Sequence, residues 1–166
     1  AHNNRGGTLA DLHRNEEAIA RFERAVAANG RYVEAWYNLG NAQAALRRHD
    51  AAIASYRKAL ALDPHCVDAY NNLGVALAER NAHGEAIDCY RRAIALEPQF
   101  VDAYSNLGAA LADLQRYGEA MAAYEQAIAI DPECADAHWN LALCRLLLGD
   151  FERGWAGYEW RWKQDQ

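Results

Sequence analysis

A single spacing, 34 residues, governs this chain. Leu39-Gly40 returns as Leu73-Gly74 and Leu107-Gly108, then as Leu141-Ala142, while Ala52-x3-Tyr56 returns as Ala86-x3-Tyr90 and Ala120-x3-Tyr124. Pro64, Pro98 and Pro132 keep the same step, and counting backwards places Gly6 and Ala18-x3-Phe22 in the same register. A fixed period of this length marks stacked supersecondary units, none able to bury its apolar face alone. Five units fill the 166 residues: 1–32 (partial), 33–66, 67–100, 101–134 and 135–166. They are expected to form one continuous domain.

Apolar residues recur at spacings of three and four with no strand-like alternation, so each unit is expected to be a pair of helices. In the second unit the first helix should run from about Glu34 to Leu46, burying Ala35, Trp36, Leu39, Gly40, Ala42 and Leu46. A polar turn at Arg47-Arg48-His49 leads to a second helix from about Asp50 to Leu62, with Asp50 as its expected cap and Ile53, Tyr56, Ala59, Leu60 and Leu62 inward. Asp63-Pro64 ends it, because proline lacks an amide donor and disfavours helix in the residue before it. The pattern predicts helices over 67–80, 84–96, 101–114 and 118–130 in the next two units.

The order Trp36, Leu39, Gly40, Ala52, Tyr56, Pro64 resembles the tetratricopeptide repeat, and the likeness covers essentially the whole chain. It implies an all-α fold, a right-handed superhelix of antiparallel helix pairs (a TPR solenoid) whose first helices line a concave face. Departures gather at the ends. Arg5 and Gly30 break the signature in the first unit, whose first helix is further loosened by Gly6-Gly7; His138, Ala142, Arg145 and Gly154 break it in the last.

The formal charge of -6 argues against general affinity for phosphate backbones, so no nucleic-acid partner is expected. No apolar run approaches the roughly 20 residues needed to cross a bilayer, and a cytoplasmic, membrane-free location is expected. The chain lacks an initiating Met and begins partway through a unit, which points to a longer parent. Cys66, Cys89, Cys134 and Cys144 form no CxxC pair, and the equivalent Cys66 and Cys134 lie two units apart, so free thiols in a reducing compartment are expected.

No catalytic constellation occurs: HExxH, GxSxG and a Gly-rich phosphate loop are all missing. No enzyme activity, cofactor or metal site is assigned. His49 and His83 share a turn register with Tyr117 and Phe151, which favours packing over metal binding.

The informative residue is asparagine. Asn4, Asn38, Asn72, Asn106 and Asn140 hold one register in the middle of every first helix, where asparagine has modest helix propensity. On the same stripe lie Glu34, Asn41 and Ala45; Asp68, Val75 and Glu79; and Asp102, Ala109 and Asp113. The array resembles the asparagine ladder of the O-linked N-acetylglucosamine transferase repeats, which hold extended peptides. That resemblance implies a peptide-binding face, since each amide can donate to and accept from a peptide main chain. Local bonding of the asparagines is the competing expectation.

Glu34, Asp68, Asp102 and Asp136 recur four positions before each asparagine. They favour a basic peptide, or they stabilise helix N-termini locally. They also exclude the acidic chaperone tails that related repeats grip with Lys and Arg.

The function expected is therefore a non-enzymatic module that binds an extended or disordered protein segment. Two alternatives stand beside it. GDFERGWAGYEWRW looks similar to the last repeat of bacterial proteins that run into a glycosyltransferase-like region, which would make the chain a substrate-recruiting arm. The apolar end at Leu146, Leu147, Trp155, Trp160 and Trp162 also suits a scaffold that stacks end to end.

Overall fold

The computed structural model describes residues 3–158 and 160, with side chains from residue 14 onward. The described residues are helical and contain no strand: α1 (Asn3–Ala28), α2 (Val33–Ala45), α3 (His49–Leu62), α4 (Val67–Ala78), α5 (His83–Leu96), α6 (Val101–Asp113), α7 (Tyr117–Ile130), α8 (Ala135–Leu147) and α9 (Phe151–Tyr158). The fold class is all-α, built from the helix pairs that the repeat demands. From α2 onward the boundaries fall within two residues of those expected.

The backbone divides into two compact units, Ala1–Arg80 and Asn81–Gln166. In the first, α1 packs on α2, α2 on α3 and α3 on α4. Its core sets Ala35, Leu39 and Ala42 against Ala52, Ile53, Tyr56, Ala59 and Leu60, all buried. Tyr56 presses so closely on Gly40 that an added Cβ there would sit 2.5 Å from the ring. Burial pushes the Tyr56 phenol far above its ordinary range.

The second unit repeats the device. Ala103, Leu107, Ala110 and Leu111 of α6 meet Ala120, Ala123, Tyr124 and Ala127 of α7, and an added Cβ on Gly108 would lie 2.5 Å from the Tyr124 ring. A large ring set against a missing side chain lets paired helices approach closely at the density of a protein interior.

The turns inside the pairs show what the composition hides. Arg47, Asn81, Gln115 and Gly149 share one register and all have positive φ, at 56, 59, 58 and 84°. Around Arg47 the amide of Arg48 donates to Gln43 O at 2.9 Å and that of Arg47 to Ala44 O at 2.8 Å. The same pair of bonds recurs from Arg116 to Leu111 and from Gln115 to Ala112. Such paired bonds close a helix C-terminus with a left-handed residue, the place usually given to glycine. Asparagine tolerates that conformation, but Arg47 and Gln115 place ordinary side chains there, at a cost of roughly 1–2 kcal/mol each.

The turns between units have their own lock. Asp63 Oδ1 accepts from the His65 amide at 2.9 Å and Asp131 Oδ1 from the Glu133 amide at 3.0 Å. Asn29 does the same for Arg31 at 3.0 Å, which keeps the turn although Gly30 stands where the later units have proline. Side-chain acceptors two residues back are characteristic turn formers.

Three expectations are corrected. The first unit is not a helix pair but one continuous helix, α1, of 26 residues. No glycine or proline interrupts residues 8–29, and Arg5 at the usual leucine position gives a hairpin little apolar surface to close on. Its far half does enter the core, with Ile19 buried against Leu39 and Ala42. Asp50 is not a cap: α3 begins at His49 without a side-chain cap bond, and Asp50 pairs instead with Arg80 at 2.8 Å. Leu62 is exposed, since it is the last residue before the turn.

The last unit's departures compensate one another. His138 stands where Trp36 stands in the second unit, and its Nε2 lies 2.9 Å from Pro132 O, matching the 2.9 Å bond from Trp36 Nε1 to Gly30 O. Gly154 replaces the usual alanine, and a Cβ there would come within 2.6 Å of Leu146, which replaces an alanine on α8. Large and small have exchanged sides.

Candidate functional site

Each first helix has two sides of different character. On α2, Ala35, Leu39 and Ala42 are buried, while Asn38 and Asn41 are half-buried and Glu34 and Ala45 exposed. On α4 and α6 the same offset leaves Asn72 and Asn106 half-buried between exposed Asp68 and Val75, and between exposed Asp102 and Ala109. On α8, Asn140 is half-buried and Asp136 exposed. The predicted stripe is thus the accessible side of α2, α4, α6 and α8. Helices α2 and α4 touch in the first unit, and α6 and α8 touch in the second, so each unit sets two rungs side by side. The side chain of Asn4 lies outside the described residues.

In the first unit the rungs join a hydrogen-bonded cluster. The Tyr56 hydroxyl donates to Asn41 Oδ1 at 2.8 Å, and Asn72 Nδ2 donates to the same oxygen at 3.1 Å and to the Tyr37 hydroxyl at 3.2 Å. Asn71 Nδ2 lies 3.4 Å from Asn72 Oδ1. Asn72 is therefore held through its amide hydrogens by two residues of the preceding first helix.

Asn41, Tyr56 and Asn72 of this cluster form the polar lining, here called the floor, of a cavity of about 430 Å³ between α2 and α4. Ala44, Ala45, Val75 and Ala76 wall it; Arg47, His49 and Glu79 line its edge. Arg47 Nη2 meets Glu79 Oε2 at 2.8 Å, and His49 Nε2 lies 3.9 Å from that oxygen. His49 Nδ1 is buried without a hydrogen-bond partner. The sequence put Asn41, Val75 and Glu79 on this stripe but did not reveal that Arg47 and His49 converge with them. In the second unit His83 approaches the acid of the same register through its other nitrogen, with Nδ1 3.4 Å from Asp113 Oδ2.

The recurring acids stand at helix starts. Glu34, Asp68, Asp102 and Asp136 all stand in the first turn of a helix whose N-cap, respectively Tyr32, Cys66, Phe100 and Cys134, makes no side-chain cap bond. A carboxylate there offsets the positive end of the helix.

At the C-terminal end, Leu147, Leu148, Phe151 and Trp155 are 67, 55, 61 and 59% exposed. Trp160 behaves otherwise: its ring stacks on His138 with centroids 3.8 Å apart. The histidine plane covers one side of that ring, and Trp160 is half-buried. Trp162 lies outside the described residues. Among the described residues no helix is long and apolar enough to cross a membrane.

Repeated helix pairs locked by tyrosine on glycine, with an accessible polar stripe in each unit, define a helical-repeat protein. The chain belongs to the tetratricopeptide repeat family: a tetratricopeptide repeat model matches residues 33–66, and a TPR repeat model matches 76–115 and 110–149. Among solved structures it is similar to MamA, at 27% identity over 91% of this chain and 88% of that one, with a TM-score of 0.85. The Arabidopsis OM64 TPR domain is 26% identical over 68% of this chain and 93% of its own, with a TM-score of 0.67. YrrB, described as a TPR protein with an unusual peptide-binding site, shares the fold at 22% identity and a TM-score of 0.76, covering 95% of this chain and 81% of that one. No curated protein matches the chain by sequence.

Proposed function

We propose that the chain is a non-enzymatic protein-interaction module that binds an extended or disordered segment along the first-helix stripe of each unit. The observation that carries this reading is the asparagine register. Asn38, Asn72, Asn106 and Asn140 are all half-buried on the accessible side of their helices, at a position where helix propensity does not favour them. Amides so placed can bond a peptide main chain whatever its side chains are. In the first unit Asn38 is the stronger rung, because Asn72 already gives its hydrogens to Tyr37 and Asn41.

The test is a panel of extended peptides read by fluorescence anisotropy. Dissociation constants near micromolar are expected, because an ordered ligand loses conformational freedom. Changing Asn38 and Asn140 together to Ala should weaken binding roughly 10-fold, since a net hydrogen bond is worth about 0.5–1.5 kcal/mol, and should leave the helical content intact. Unchanged affinity would remove the asparagines from the site. Lys/Arg-rich peptides that bind more tightly in low salt would add charge selection by Glu34, Asp68, Asp102 and Asp136 to their helix-end role; indifference to peptide charge would leave only the latter.

A second reading rests on the apolar end. Leu147, Leu148, Phe151 and Trp155 are four large exposed apolar side chains within nine residues of sequence, more than a surface usually leaves uncovered. The cover is either a catalytic region of glycosyltransferase type, with this chain as its recruiting arm, or another copy. A sedimentation mass that rises with concentration, and returns to the monomer value on changing Trp155 to Ser, supports the second copy; a constant monomer mass excludes it.

A further inference from the structure

The cavity between α2 and α4 has a chemistry narrower than main-chain binding requires. We infer that it is a side-chain pocket for a phenol, a tyrosine of the bound segment, which deepens the peptide-binding reading above and takes the source of the phenol from it.

The walls are small and apolar, from Ala44, Ala45, Val75 and Ala76, and the volume of about 430 Å³ accommodates an aromatic ring. The floor is polar but already half spent. Asn41 Oδ1 takes one hydrogen from Tyr56 and one from Asn72, which fills both of its lone pairs. What Asn41 still offers is its amide nitrogen, a donor for an oxygen at the tip of a guest. At the edge the charges of Arg47 and Glu79 are paired at 2.8 Å, beside the His49 ring.

These features sort the guests. A carboxylate or ammonium would leave water to meet a charge that is already compensated. An aliphatic or plain aromatic side chain would desolvate the Asn41 amide and leave it without an acceptor. A ring with a hydroxyl at its tip satisfies both walls and floor.

Asn41 is not required by the fold. Its register is occupied by Val75, Ala109 and Leu143 in the following units, and Tyr90 and Tyr124, the counterparts of Tyr56, are as deeply buried as Tyr56 is. The asparagine therefore answers to something other than tyrosine burial.

The probes are p-cresol and toluene, which differ only by the hydroxyl, titrated into the whole 15N-labelled chain and followed by NMR through the side-chain amide signals of Asn41 and Asn72. The expected result is p-cresol binding on the order of millimolar, about 5-fold tighter than toluene, with the largest shifts at Asn41. Asn41→Val, which installs the residue of the next unit, should erase that preference. Val75→Phe, a change at a 41% exposed wall position that the core does not use, should block both probes even if Asn41→Val disturbs the fold. Equal affinity for the two probes, a preference that survives Asn41→Val, or unaltered binding to Val75→Phe would each overturn the inference. Tyrosine and phenylalanine versions of any peptide found by anisotropy separate the two claims. Cresol binding with no peptide binding sinks the module and keeps the pocket, while peptide binding indifferent to the hydroxyl sinks the pocket and keeps the module.

Discussion

Tyr124→Ala is expected to lower the stability of the chain by about 3–5 kcal/mol, the range for removing a fully buried aromatic side chain from a core that cannot collapse around the loss. Tyr124 is 1% exposed, and its ring lies against the backbone of α6 at Gly108. The void left behind would be bounded by helix backbone, which moves less readily than side chains. For a chain of this length each kcal/mol shifts the melting temperature by about 2–4 °C, so a fall of roughly 6–20 °C should appear in thermal melts, with a matching drop in the urea midpoint. Leu114→Ala is the control: that leucine is 43% exposed just past the end of α6 and should cost well under about 1 kcal/mol. A Tyr124→Ala loss no larger than the control's would mean that the ring does not hold α6 to α7.

Gly108→Ala is expected to destabilise, against the usual direction of such a change. Inside a helix, replacing glycine by alanine normally gains about 1 kcal/mol. Here the new Cβ would stand 2.5 Å from Tyr124 Cε1 and 2.7 Å from Cδ1, so the ring or the helix must give way, and overpacking of this kind costs about 1–3 kcal/mol. Because the contact is with one ring, the sign should depend on that ring. In the Tyr124→Ala background the clash is gone, and Gly108→Ala should stabilise by about 1 kcal/mol. A double-mutant cycle from urea unfolding reads this reversal as a coupling energy of 2 kcal/mol or more. Additive changes would show that Gly108 serves some purpose other than admitting the tyrosine.

The same pair explains why the fold was legible. A small residue and a ring that recur 34 residues apart imply a close helix contact before any coordinate is known, and α2, α3, α6 and α7 form as that spacing requires. The asparagine register was equally legible, because helical geometry alone places Asn38, Asn72, Asn106 and Asn140 on one side of their helices. How each asparagine bonds was not, since that depends on which neighbour brings which atom. Asn72 is engaged by Tyr37 and Asn41 from the preceding first helix, more than 30 residues away in sequence. Periodicity finds faces; it does not find partners.

The ends of the chain mark the boundary between the two kinds of information. By itself the sequence determined the period, the helix pairs from Val33 onward, and the turns at Asp63-Pro64 and Asp131-Pro132. All of these are local in the chain or repeat within it. Only the tertiary structure decided that α1 runs unbroken, that His138 takes the bonding role of Trp36, that Gly154 makes room for Leu146, and that Arg47, Asn81 and Gln115 adopt a left-handed turn that no glycine announces. The physical reason is common to them all. Each is a compensation between residues that meet in space, so its free energy belongs to the packed pair and neither residue carries it alone.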